Sequence, residues 1–115
     1  KRAGFFLGNL DAYINVVGGF RLDEPAADLP VLLALYSGLK DKPIPDLIAA
    51  FGEVGLSGEV RSVTNAAARI WEIHKLGFQS CILPKQNLKL LAGQDLPPQL
   101  ELLGVSSIRD AFALI

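Results

Sequence analysis

The sequence predicts a single α+β domain, a mixed α/β arrangement in two layers, on three observations. An alternating stretch near the start gives way to an apolar helix, a glycine-rich segment has the form of a hairpin, and the back half alternates helical with extended patterns. Composition agrees with this. Of 115 residues, 50% are hydrophobic and 20% charged, which is the balance of a globular chain able to bury a core.

The elements follow in order. Asp11–Val17 sets Ala12, Ile14 and Val16 against Tyr13, Asn15 and Val17, a period of two that reads as a strand, and Gly18-Gly19 ends it. From about Ala26 to Lys40, Leu29, Leu32, Leu33 and Tyr36 recur at helical spacing. Asp23, Glu24 and Asp28 lie near the positive end of that helix. Pro25 suits a helix start, and Pro30 is compatible only with a place in the first turn or so. Lys40-Asp41-Lys42-Pro43 closes the helix. Leu47–Phe51 is a short apolar run expected as a buried strand, and Gly52–Val60 reads as a hairpin turning on its glycines. Then come a helix at Asn65–Leu76, a strand at Gln79–Leu83, a helix at Asn87–Leu91, a strand at Gln99–Val105 and a helix at Ser107–Leu114. Ser107 and Asp110 form a capping box weakened by Asp in place of Glu or Gln. This order predicts parallel strands with crossover helices after an antiparallel front half.

Composition also excludes function classes. The apolar stretch Pro30–Tyr36 is too short to span a bilayer and no basic-then-apolar leader opens the chain, so no membrane partner is expected. The lone cysteine, Cys81, leaves neither a disulfide framework nor a cysteine zinc site; in its apolar run it reads as a buried structural thiol, consistent with a reducing cytoplasm. With 11 basic and 12 acidic residues the net charge is −1, so nucleic-acid binding requires a local basic face rather than bulk charge. The absence of methionine and the helix-end character of Lys1-Arg2-Ala3-Gly4 set the expectation of a piece of a longer protein.

The catalytic inventory is thin. Gly55-Leu56-Ser57-Gly58-Glu59 ends in Glu where a nucleophile elbow needs Gly, and a hairpin accounts for its glycines. The one histidine, His74, lacks partners at local spacing for a triad or a metal site and reads as a packed or surface residue. Asp23, Glu24 and Asp28 read as charges at a helix N-terminus rather than an acidic site. No P-loop occurs. The Asn65–Leu76 helix divides into a core stripe (Ala66, Ile70, Ile73), a solvated stripe (Ala68, Glu72, Lys75) and a third, Ala67, Trp71 and His74. In that third stripe Trp71 either packs at the core rim or anchors a partner, with His74 beside it as a second interface candidate.

Two motifs carry family information. Asp23-Glu24-Pro25-Ala26-Ala27-Asp28 is similar to the Asp-Gly-Pro-Ser-Ala-Gly turn of Lon-type serine peptidases, with Ala26 at the serine position. Asp11–Gly19, Phe51–Arg61, Lys75-Leu76-Gly77-Phe78 and Leu83-Pro84-Lys85-Gln86-Asn87, in that order and over nearly the whole chain, resemble the C-terminal domain of the RadA (Sms) family of bacterial recombination and DNA-repair ATPases. The resemblance implies an S5-domain-2-like, Lon-proteolytic-like fold. Aligned on Lon through His74-Lys75 and Leu83-Pro84, the dyad lysine becomes Ala67, so both dyad positions are alanine and no peptidase is expected. Pro30 departs from the residue the family would lead one to expect, and the resemblance sets the expectation that the first strands of such a domain precede this sequence.

The resemblance further implies a parent protein with ATP, Mg and Zn bound outside this chain. That parent would form a hexameric ring on single-stranded or branched DNA, with RecA as a further partner, and this domain would help assembly and contact DNA. Candidate DNA contacts are Lys40, Lys42, Arg61, Arg69, Lys75, Lys85 and Lys89, each weighed against being an ordinary solvated charge. Trp71, one turn from Ala67, is expected beside a shallow apolar depression left by the lost dyad. A competing resemblance is to magnesium-chelatase-like competence proteins, which share the Asp-Leu-Pro helix start and the Gly-Glu hairpin.

Overall fold

The computed structural model describes Ala26 and residues 28–40 and 48–115. The expected Asp11–Val17 strand, Asp23, Glu24 and Lys42 lie outside the described residues. Nine elements run in the order α1 (Asp28–Lys40), β1 (Ile48–Ala50), β2 (Glu53–Val54), β3 (Val60–Arg61), α2 (Ala66–Lys75), β4 (Ser80–Pro84), α3 (Lys85–Leu90), β5 (Glu101–Val105) and α4 (Ile108–Phe112) among the described residues. The fold is mixed α/β. β1, β4 and β5 form a parallel sheet in the spatial order β1-β4-β5, and β2 and β3 form a separate antiparallel hairpin.

β4 is the centre of the sheet, and its sequence explains why. Cys81, Ile82, Leu83 and Pro84 are all buried, the continuous apolar run required of a strand covered on both faces. Ala49 pairs with Cys81 on one side and Cys81 with Leu102 on the other. Burial pushes the Cys81 thiol well above its ordinary range, so it is a packing residue rather than a nucleophile. Around β4 the core gathers Leu29 and Leu33 from α1, Phe51 after β1, and Ile70 and Ile73 from α2. Each such side chain contributes about 1.5–3 kcal/mol by leaving water.

The boundaries that moved have local causes. α1 begins at Asp28, which leaves Pro30 within the first turn, where no intrahelical partner for its missing N–H exists. α3 starts at Lys85 rather than at Asn87 because Pro84, extended at φ −61° and ψ 131°, ends the strand and caps the helix at once. β5 starts at Glu101 because a turn from Pro97 O to Leu100 N–H precedes it. α2 keeps the expected stripes: Ala66, Ile70 and Ile73 are buried, and Ala68, Glu72 and Lys75 are exposed.

The capping box before α4 forms only in half. Ser107 Oγ accepts from Asp110 N–H at 3.2 Å, but the shorter Asp110 carboxylate reaches the Ser106 N–H instead of that of Ser107.

Candidate functional site

Parallel strands place their carboxyl ends together, and in this molecule that edge gathers most of the polar detail. Gly52, just past β1, is locked to the start of α1 from both sides: its N–H donates to Ala26 O at 2.9 Å, and its carbonyl accepts from Leu29 N–H at 2.9 Å. A Cβ on Gly52 would press on Val60, Leu29 and Pro84 side chains at 3.2–3.3 Å, so three elements converge there only because the residue is glycine. Asp28 completes the junction, its Oδ2 accepting from Val54 N–H of β2 at 3.1 Å. Asp28 therefore ties the helix start to the hairpin.

Ala26 sits inside this junction with no exposure at all. The shallow apolar depression expected over the former dyad does not open at its methyl group: the Gly52 backbone and the core close over it. Ala67 is half-buried and packs against the core. A methyl group at each position offers neither nucleophile nor base.

Sharing Val60 with the junction, at the ends of β4 and β5, lies a cleft of about 360 Å³ lined by Val60, Lys85, Gln86, Lys89, Val105 and Ser106. Lys85 and Lys89 are one turn apart on α3 and line the same side of it. The helix is held by Asn87, a buried side chain whose Oδ1 accepts from Val63 N–H and whose Nδ2 donates to Val63 O, both at 3.0 Å. That paired bond fixes the α3 register against the approach to α2.

The remaining basic candidates fall elsewhere. Arg61 donates through Nε and NH2 to Glu59 Oε2 and lies 3.9 Å from Glu53, so its charge is already neutralised within the hairpin. The Arg61 guanidinium holds the Glu59 carboxyl below the usual carboxylate range. Arg69 donates to Thr64 O at 3.0 Å. Lys40 and Lys75 end α1 and α2, helices that return the chain to the starts of the parallel strands, so they lie at the opposite edge. Lys42 lies outside the described residues. Of the described candidates, Lys85 and Lys89 line one cleft.

Trp71 is 40% exposed and is tethered, its Nε1 donating to Asp95 O at 3.1 Å, and half-buried His74 meets its ring edge-on at 5.9 Å. Arg109 was not singled out by sequence. It lines a second cleft, of about 520 Å³, with Ser57, Gly58, Ser107, Ile108 and Phe112. A lone arginine on a five-residue helix has no sequence signal; only the β5-to-α4 connection puts it there.

Residues 4–87 match the family model described as subunit ChlI of Mg-chelatase. The chain is 43% identical over 111 residues to the DNA repair protein RadA of Halalkalibacterium halodurans, covering 96% of this chain and 24% of that protein. It is 42% identical over 111 residues to the protein of the same name from Bacillus subtilis, again 96% of this chain and 24% of the relative. For that from Escherichia coli the figures are 39% over 114 residues, 99% and 24%. The chain thus spans about a quarter of the length of these curated relatives.

Proposed function

The chain belongs to the family described as subunit ChlI of Mg-chelatase, and from its likeness to DNA repair RadA proteins we propose that it is the non-peptidolytic, Lon-like domain of a RadA-type DNA repair and recombination ATPase. One observation carries this reading: 39–45% identity sustained along 94–99% of the chain to relatives bearing that one name. In this role the domain is a scaffold for a hexameric ring and a DNA contact during processing of branched intermediates. Alanine at positions 26 and 67 supports a structural role over a hydrolytic one.

An apolar groove of about 610 Å³ between α1 and the hairpin, lined by Val31, Leu32, Val54 and Leu56, supports the scaffold role, with Leu56 fully exposed at the hairpin tip. ATP, Mg and Zn belong in this reading to the parent protein. The chain has no P-loop and a single, buried cysteine, so its own residues do not fit those groups.

The test is a chimera in which this chain replaces the matching segment of the Bacillus subtilis RadA protein. Ring assembly by sedimentation and survival of DNA damage are both expected to be retained. A chimera that performs no better than a protein lacking the segment overturns the reading. The second reading, an S5-like domain of a magnesium-chelatase-like competence protein, draws on the match over residues 4–87. Rescue of such a protein by the same swap, without rescue of RadA, would establish it.

A further inference from the structure

We propose that the outer edge of β5 takes an extended acidic segment of a partner protein as an added strand. The inference goes beyond the scaffold and DNA-contacting roles and stands without either. In the sheet order β1-β4-β5, β5 is a terminal strand among the described residues. The Glu101 N–H donates to Gln79 O at 3.0 Å, and the parallel register turns the backbone of Glu101, Leu103 and Val105 toward β4. Alternation then points the N–H and C=O groups of Leu102 and Gly104 away from the sheet, and among the described residues nothing pairs with them. The hairpin joins past the strand, where Val60 N–H donates to Ser106 O and Ile108 N–H to Gly58 O, each at 2.9 Å.

This edge lacks the guards that keep such strands solitary. From Leu102 to Ser106 there is no proline and no charge, and no bulge interrupts the register with β4. The strand's one charge, Glu101, is turned aside, its Oε1 accepting from Ser80 Oγ at 3.0 Å. On one face α3 walls the edge: a Cβ on Gly104 would meet Leu88 Cδ1 at 2.6 Å and Lys85 Cα at 3.2 Å, so the helix rides directly on the strand. Charge chooses the occupant. At the carboxyl end of β5, the cleft lined by Val105 and Ser106 holds Lys85 and Lys89 and no carboxylate. Two acids close to that end are engaged, Asp110 by Ser106 N–H and Glu59 by Arg61 and Ser57 N–H. Glu101 stands at the other end, roughly 13 Å away along the strand. An antiparallel strand with acidic residues at its amino end and a basic one at its carboxyl end complements both, while main-chain bonds supply affinity.

The probe is a short fluorescent peptide, two glutamates followed by alternating valine and threonine and a closing lysine. Binding to the chain is read by anisotropy, and amide hydrogen exchange of the chain is followed by NMR. Saturable binding is expected, with exchange at Leu102 and Gly104 slowed. N-methylating the alternate peptide amides that face β5 should weaken binding roughly tenfold, and methylating the other set should leave it unchanged. Lys85→Gln/Lys89→Gln should weaken it roughly threefold to tenfold, and the control Lys40→Gln/Lys75→Gln should not. Both variants change exposed side chains, and equal urea midpoints verify that each remains folded. Binding that tolerates either methylated set, or that leaves exchange at Leu102 and Gly104 unaltered, overturns the added strand. Undiminished binding by the Lys85/Lys89 variant, equal losses in the control, or equal binding of a peptide with glutamine for glutamate overturns the acidic partner. Slowed exchange that grows with protein concentration and needs no peptide assigns the edge to a second copy. Protection by an oligothymidylate in place of the peptide assigns it to a nucleic acid, and either result overturns the proposal. Failure of the probe to bind overturns it too, and none of these outcomes removes the RadA-type reading.

Discussion

Asn87 shows how much one side chain can determine. It is one of two buried polar residues among those described, and its amide mimics a strand partner by satisfying both backbone groups of Val63. Removing that amide leaves the part-buried Val63 N–H and C=O without their partners, each costing up to about 1–3 kcal/mol. Asn87→Ala is therefore expected to destabilise the fold by about 2–4 kcal/mol in urea denaturation. Asn87→Asp retains the acceptor facing Val63 N–H but loses the donor, and a loss of stability is expected there too. A midpoint unchanged in the alanine variant would show that water replaces the amide. Asn65 is the backbone counterpart: it caps α2 at φ 60°, the left-handed region that asparagine tolerates better than most residues, so the helix entry depends on residue type rather than on a side-chain bond.

At the scale of elements, α2 carries the least settled surface. Its core stripe is enclosed, while Trp71 is exposed on one side and tied by its indole N–H to the loop before β5 on the other. A tryptophan so placed can pin a loop, anchor a partner or do both, and the two roles separate experimentally. In the hexameric parent protein proposed above, Trp71→Ala is expected to loosen the ring by roughly 1–3 kcal/mol per interface, read by sedimentation. Trp71→Phe keeps the ring face but drops the bond to Asp95, so it should preserve most of the assembly. An unaltered hexamer in the alanine variant removes Trp71 from the interface and leaves it the loop tether alone. The contact between α1 and α4 is simpler: Tyr36 and Phe112 stack with centroids 4.0 Å apart and planes within 7°, which fixes the last helix against the first described one.

For the whole molecule, the carboxyl edge of the sheet carries two unlike regions. One is the closed junction of Ala26, Gly52 and Asp28, and the other is the open, basic clefts flanking Ser106 and Ser107. A peptidase needs a nucleophile and an adjacent base, and Ala26 and Ala67, the positions that the Lon resemblance aligns with the dyad, hold methyl groups. Incubation with unfolded casein and a fluorogenic peptide, beside an active Lon domain, is expected to give no cleavage above the blank. Activity that survives repurification would contradict this. No helix among the described residues is long and apolar enough to cross a membrane.

Element types and the family were legible in the sequence because both rest on local pattern. Ala66, Ile70 and Ile73 recur on one face of a helix, Ser80–Pro84 forms one apolar run, and the motifs that carry the family resemblance are contiguous stretches of residues. What the sequence left open was placement. Seven basic residues were equal candidates along the chain. Tertiary structure divided the described ones, pairing Arg61 inside its hairpin, sending Lys40 and Lys75 to one edge of the sheet, and setting Lys85 and Lys89 in one cleft at the other, with the unanticipated Arg109 in a separate cleft. The same holds for Ala26, whose enclosure depends on Gly52, and for Asn87, which reaches back 24 residues to Val63. The physical reason is common to all of these: periodicity records which face of an element is apolar, but the parallel pairing of β1, β4 and β5 decides which loop ends meet, and that pairing is made between residues far apart in the chain.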